Sequence, residues 1–204
     1  MPPLVALLTD FGLRDHYVGA MKGAILSLCP EAVLVDVLHE LPPHNVTAGA
    51  LALDAAYRHF PGGTVFVAVV DPGVGSQRRP IAMGAGRWLF VGPDNGLFTL
   101  VLEAEPLARV HLLANPVLYA QPHSAVFHGR DLFGPAAARL ARGLALEEMG
   151  PVVGDPVRLV LPRAQRRTGA CEGAVLRSDR FGNLVTNVLE ADLAALAGAD
   201  LRRL

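Results

Sequence analysis

Six polar residues stand at or near the ends of apolar, strand-like runs in this chain: Asp10, Asp71, Arg78, Asp94, Asn95 and His128. The stretch that suggests a chemistry is residues 64–82, TVFVAVVDPGVGSQRRPIA. Its β-branched run ends in Asp71, a Gly- and Pro-rich turn follows, and Arg78 and Arg79 come next. A carboxylate at the end of a buried strand, with guanidinium groups shortly after it, is how open α/β sheets build sites outside the carboxyl ends of their strands. Each residue also has an ordinary reading. Asp71 can cap an Asp-Pro-Gly turn, Asp10 and Asp94 can be turn formers, and His128 can be a loop histidine. Those readings weaken together, because all six residues follow strands of one sheet and so converge on one crevice.

Several chemistries are set aside by pattern. There is no Gly followed by Lys-Ser/Thr at P-loop spacing, and Gly73-Val74-Gly75 lacks the third glycine of a dinucleotide fingerprint. There is no GxSxG elbow, and Ser124 and His128 have no third group obviously paired with them, which argues against a serine hydrolase. Carboxylates with one histidine also suit a divalent cation, so a metal-dependent hydrolase can be drawn from the same residues.

The elements that must carry these groups alternate. Residues 4–8 and 33–38 read as strands, and the run 65–70 reads as a strand buried on both faces. Between them, Val18, Met21, Ile25 and Leu28 recur at helical spacing behind Asp15, which reads as an N-cap, and the alanine-rich residues 47–60 read as a second helix. This βαβαβ order predicts a parallel sheet with helices on both faces. After the arginine pair, short strands are expected at 81–85 and 88–91 around Gly86, and another at 109–113. Asp131 reads as the cap of a helix over 132–142, although Pro135 restricts where that helix begins. Residues 150–162, rich in Pro, Gly and Val, read as a linker. Beyond it, residues 171–177 and 184–188 read as a hairpin turning at 179–183. We therefore expect an N-terminal α/β, Rossmann-like catalytic domain over 1–163 and a partial C-terminal β domain over 164–204, the latter too short to fold without partners.

Composition fits a single full core. The chain has 204 residues, 51% of them hydrophobic and 18% charged, which excludes a disordered chain. A net charge of −1 with no long basic run argues against nucleic-acid or membrane-surface binding. Lys22 is the only lysine. Cys29 and Cys171 form no CxxC pair, and two buried free thiols are expected. The apolar stretch 4–8 is too short for a signal-peptide core and no run approaches a membrane span, so the expectation is a soluble cytoplasmic protein.

Five motifs in order, TDFG (9–12), VDPGVG (70–75) followed by Arg78, PDNG (93–96), FHGRD (127–131) and FGNLVTN (181–187), resemble the S-adenosylmethionine hydroxide adenosyltransferases, a family related to the fluorinases and chlorinases. The resemblance runs from residue 4 to about residue 188. It implies hydrolysis of S-adenosylmethionine to adenosine and methionine, without cofactor or metal. It implies an N-terminal α/β domain, a C-terminal β-barrel and a homotrimer, with the substrate between one subunit's N-terminal domain and its neighbour's C-terminal domain. Family members continue through most of a barrel past the FGN motif, so residues 164–204 are expected to be its truncated start. By the same resemblance, Asp71, Arg78 and His128 are the water-activating set and Asp10 holds the ribose. Asp179 and Asn183 contact substrate, and Asn95 joins the substrate-binding residues.

Attack of water at C5′ needs no general acid, because the sulfonium leaves as neutral methionine. Asp71 or a neutral His128 can accept the water's proton, and an arginine can hold the water or fix the aspartate. Three other readings stand beside this one. They are a halide-using relative, a metal-dependent hydrolase, and a non-catalytic truncated trimer that binds adenosine.

Overall fold

The computed structural model describes residues 2–120 and 124–197. The chain divides into two compact units, Met1–Leu159 and Val160–Leu204. The first is built on a six-stranded sheet. Its elements in chain order are β1 (Leu4–Thr9), α1 (Tyr17–Leu28), β2 (Val33–Leu38), α2 (Val46–Tyr57), β3 (Val65–Val69), β4 (Pro80–Ala85), β5 (Trp88–Pro93), α3 (Thr99–Ala104), β6 (Arg109–Leu112) and α4 (Gly134–Ala141). The strand order is β2-β1-β3-β5-β4-β6. β2, β1, β3 and β5 run parallel, and β4 is antiparallel to both β5 and β6. The fold is thus the expected α/β class with a mostly parallel sheet. The reversed strand arises because β4 and β5 form a hairpin whose turn contains Gly86, at φ 56°.

β3 is apolar throughout because both of its faces are covered. Val65, Val67 and Val69 pack with Met21 and Ile25 of α1 and Ala137 of α4. Phe66, Ala68 and Val70 pack with Leu53 and Tyr57 of α2 and Val101 of α3. Each such valine contributes about 1.5–3 kcal/mol relative to exposure. β1 lies between β2 and β3, with Leu8 opposite Ala68 and Thr9 opposite Val69. The chain leaves β1 toward β2 on one side and returns to β3 on the other. The carboxyl ends of β1 and β3 therefore flank the point where strand order reverses, the usual place for a crevice in such sheets.

Four local expectations are corrected. Asp15 does not cap α1: the N-cap is His16, without a side-chain bond, and the helix begins at Tyr17. Asp131 does not cap a helix either. It sits inside a single π-helical turn, Gly129–Phe133, that precedes α4. Pro135 has no N–H to offer the Asp131 carbonyl in an α-helical turn; that carbonyl instead accepts the N–H of Ala120 at 2.8 Å, and the Gly134 N–H reaches back to the Gly129 carbonyl. The stretch read as a linker is, up to Leu159, bound to the first unit. The Leu112 N–H donates to the Pro151 carbonyl, the Val153 N–H to the Val110 carbonyl, and the Leu159 N–H to Thr99 Oγ1 at 2.8 Å. Finally, Cys29 is buried but Cys171 is half-buried; both are free thiols.

The second unit holds two hairpins and a helix: β7 (Gln165–Arg167) with β8 (Ala170–Glu172), β9 (Val175–Ser178) with β10 (Leu184–Thr186), and α5 (Glu190–Ala197). The run 171–177, read as one strand, is split between two pairings. After β8, the Ala174 N–H turns to the Asn187 side chain at 2.7 Å. Phe181 is 87% exposed, and Leu184, Leu189 and Val175 are also exposed. Among the described residues, no helix is long and apolar enough to cross a membrane.

Candidate active site

A pocket of about 280 Å³ opens at the carboxyl ends of β1 and β3. Asp10, Phe11, Val69, Asp71 and Val74 come from those strand ends, Pro43 and His44 from the loop after β2, and Val126, His128 and Gly129 from the loop before α4. Tyr17, at the start of α1, completes the wall; its ring stacks on Phe127 with centroids 6.0 Å apart. The pocket therefore pairs apolar walls with two aspartates and two histidines.

Asp71 follows the last buried residues of β3, and the turn after it brings Arg78 back. The Val74 N–H donates to the Asp71 carbonyl at 3.2 Å, and Ser76 Oγ donates to the Gly73 carbonyl at 2.6 Å while accepting the Arg78 N–H at 3.2 Å. A Cβ at Gly73 would stand 3.1 Å from Arg78 Cγ, so a larger residue there would press on the arginine. Arg78 Nε donates to Asp71 Oδ1 at 3.0 Å and to Oδ2 at 2.9 Å, and Nη2 makes a further short bond to Oδ2. Both side chains are buried, 9% and 6% exposed. Nη2 also lies 2.7 Å from His128 Nδ1. Guanidinium can only donate, so Nδ1 accepts, and His128 here is the neutral tautomer with its proton on Nε2. Arg78 joins Asp71 to His128 from behind, with its guanidinium 5.2 Å from the centroid of buried Phe133, while Asp71 and His128 face the pocket. The structure thus brings together three residues separated by up to 57 positions in the chain.

His128 is placed by the π-helical turn that follows it. The Asp131 carboxylate, buried within that turn, accepts the Ser124 N–H at 2.8 Å and is forked by Arg130, tying down the loop on both sides of His128. Gly129 allows the loop to close on the other wall, since a Cβ there would stand 3.0 Å from the Phe11 ring.

Asp10 lines the same pocket, and its Oδ2 accepts the N–H of His44 at 2.7 Å. His44 has φ 64°, the only described non-glycine residue at positive φ. Its backbone is held in that left-handed conformation between the Asp10 bond and the Asn45 cap of α2, whose side chain accepts the Ala48 N–H at 2.9 Å. No residue-type signal marks His44 or Pro43 as pocket residues. Phe127 is legible as the first residue of the FHGRD motif, whereas Tyr17 carries no such signal.

The other named residues are placed elsewhere. Asn95 spends both ends of its amide on backbone: Nδ2 donates to the Val70 carbonyl at 2.8 Å and Oδ1 accepts the Leu97 N–H at 3.2 Å. Asp94 is buried and accepts from Arg79 Nε and the Val157 N–H, both at 2.8 Å. Arg79 points away from Asp71 but is not simply solvated. It also binds Asp155 at its carboxylate and its carbonyl, each at 2.7 Å, and these bonds hold the guanidinium above and the Asp155 carboxyl below their ordinary pKa ranges. In the second unit, Asp179 and Asn183 are brought to each other. The Asp179 carboxylate accepts from Asn183 Nδ2, the Asn183 N–H and the Phe181 N–H, and the Asn183 bond foremost holds its pKa below the usual range. Among the described residues, no group of three or more His, Cys, Asp or Glu side chains is arranged to hold a metal ion.

With fold and pocket in view, comparison with known proteins is direct. Residues 5–150 match the SAM hydroxide adenosyltransferase N-terminal domain. A Thermus thermophilus protein named (R)-S-adenosyl-L-methionine hydrolase is 44% identical over 206 residues, covering 98% of this chain and 80% of that protein. One of the same name from Salinispora arenicola is 46% identical, covering 89% of this chain and 70% of its own length. More distant relatives, such as one from Actinoplanes at 32% identity, carry the name fluorinase. In three dimensions, the crystal structure of an uncharacterised conserved protein from Thermotoga maritima superposes with a TM-score of 0.91 at 38% identity, covering 94% of this chain and 74% of that one. The chain belongs to the S-adenosylmethionine hydroxide adenosyltransferase family.

Proposed function

We propose that this protein hydrolyses S-adenosyl-L-methionine to adenosine and L-methionine. The observation that carries the reading is the Asp71–Arg78–His128 constellation at the pocket wall, in a chain whose relatives at 36–46% identity are named (R)-S-adenosyl-L-methionine hydrolase. Water attacks C5′ of the ribose in line with the C5′–S bond. The C–O bond forms as the C–S bond breaks, its electron pair returns to sulfur, and methionine leaves neutral. The water's proton must go to a base. His128 Nδ1 already accepts from Arg78, whereas Asp71 Oδ1 takes a single donor from Arg78 and retains acceptor capacity. We therefore assign the proton to Asp71 and the orientation of the water to His128. Arg78, behind both, fixes their geometry before attack, which is where positioned groups gain most. Asp10 anchors the ribose hydroxyls through charge-assisted hydrogen bonds. No cofactor or metal enters this scheme.

The active assembly in this reading is a homotrimer in which a neighbouring copy brings Asp179 and Asn183 to the substrate. The exposed Phe181, Leu184 and Leu189 of the small unit support an arrangement that covers them. A cytoplasmic location accords with two free cysteines. The experiment is incubation of the purified protein with S-adenosyl-L-methionine in ¹⁸O-water, with and without fluoride, chloride and a chelator. Adenosine labelled at the 5′ oxygen, in equal yield under all conditions, is expected. A 5′-halogenated nucleoside, loss of turnover with chelator, or no adenosine at all would overturn the reading.

A further inference from the structure

His39 is buried, 3% exposed, and has no part in the chemistry above. It follows β2 directly. Its Nδ1 lies 2.8 Å from Thr9 Oγ1 and its Nε2 3.0 Å from Asp36 Oδ1, while Asp36 Oδ2 holds Lys22 Nζ of α1 at 2.7 Å. A carboxylate behind an imidazole behind a hydroxyl is the order of groups that activates a nucleophile in hydrolases. Here the Thr9 side chain is fully buried and no substrate can reach it. The chain of bonds must therefore do something other than attack.

Its donors and acceptors close in one way. The Asp36 carboxylate accepts only, so His39 Nε2 carries the proton toward it. Nδ1 then accepts the Thr9 hydroxyl proton, and Thr9 Oγ1 in turn accepts the Phe11 N–H at 3.2 Å. From the same segment, the His39 carbonyl accepts the Gly12 N–H at 2.8 Å, and Glu40 Oε1 accepts the Leu13 N–H at 3.0 Å. The turn that carries Asp10 and Phe11 is thus stitched at both ends to residues 39 and 40. Those residues lead into Pro43 and His44, which line the pocket beside Asp10.

We infer that His39, fixed in one tautomer by Asp36, is a positioning residue that acts through Thr9 to aim the Asp10 carboxylate into the pocket. The inference rests on the reading that Asp10 holds the ribose, and it makes Thr9 and His39 determinants of nucleoside affinity although neither touches the ligand.

Thr9→Val removes the hydroxyl at nearly constant shape, and Thr9→Ser restores it. His39→Gln keeps a donor toward Asp36 but, with its amide oxygen at the same end of the side chain, places no acceptor at the Nδ1 position facing Thr9. Titration calorimetry with adenosine, turnover of S-adenosyl-L-methionine and amide hydrogen exchange at His44 are read on each. We expect Thr9→Val and His39→Gln to weaken adenosine binding and raise KM by about tenfold, with kcat within about twofold, the signature of lost uniform binding. Faster exchange of the His44 amide should accompany this, and Thr9→Ser should recover all three readouts. If wild type does not turn over S-adenosyl-L-methionine, the functional reading fails, but the His44 amide still decides the positioning. Wild-type exchange at His44 in a folded Thr9→Val or His39→Gln protein would overturn the inference. So would a fall in kcat with unchanged affinity.

Discussion

Asp71 and Arg78 stand seven residues apart in the chain and form a forked, largely buried ion pair at the pocket wall. Few buried pairs are so local. The turn between them has one task, to double the arginine back onto the acid at the end of β3. Truncating either partner leaves a buried charge without its counterpart, which typically costs about 3–5 kcal/mol.

Asp71→Asn should therefore lower both stability and catalysis. We expect a clear drop in melting temperature and a fall in kcat on the order of 10²-fold or more. Arg78→Lys should fail similarly, because an ammonium cannot donate in a fork to Asp71 while also reaching His128 Nδ1. Thermal unfolding together with adenosine release at saturating substrate checks this. A stable Arg78→Lys protein with normal turnover would contradict the bracing role.

Asp10→Ala should instead act on affinity. If Asp10 holds the ribose as proposed, it meets the substrate in ground and transition states alike, so KM should rise while kcat changes less, the reverse of Asp71→Asn. Steady-state kinetics on the two variants side by side makes the comparison. Equal effects on both parameters in both would refute the division of roles.

Arg79 offers the contrasting case. Its guanidinium ties the end of the β4–β5 hairpin to Asp94 and Asp155, away from the pocket. Arg79→Ala should leave kcat near wild type and lower stability by about 1–3 kcal/mol, because Asp94 stays buried with one charge-assisted partner fewer. Chemical denaturation and turnover per folded molecule separate the two effects.

The Asp36 carboxyl gives a pH signature. Burial pushes it up, but hydrogen bonds from Lys22 and His39 outweigh that, so in the fold it sits below its ordinary value of 3.8. The unfolded chain then binds the proton first as pH falls, so this contribution is present above that value and is lost as pH drops through the folded-state pKa. Asp36→Asn should flatten the acid limb of the stability profile below about pH 4 while leaving the alkaline limb unchanged. Melting temperatures across the acid range test it.

How much of this was legible beforehand follows from what each feature depends on. The strands β1, β2 and β3 announce themselves by uninterrupted apolar runs, and the residues after them had to meet at one sheet edge. Asp10 and Asp71 are visible for that reason, whereas His128, in the loop before α4, is marked only by the FHGRD motif. The Asp131 turn was not. Its geometry depends on Pro135 withholding an N–H and on Ala120 supplying one from a distant segment, a tertiary substitution that local capping rules do not contain. Arg79 gives no local sign of its partners because Asp155 lies far along the chain. Asn95 looked like a ligand contact because nothing local shows its amide spent on the Val70 carbonyl. Residues 150–159 resembled a linker because a stretch bonded through scattered backbone groups has no periodicity to read.

The alignment of Thr9 with Val69 has a last consequence. In the proposed reading the grip on the nucleoside hangs from β1 and the seat of the attacking group from β3, two neighbouring rods locked in step by their ladder. Each loop can then change length or composition without dragging the other out of aim.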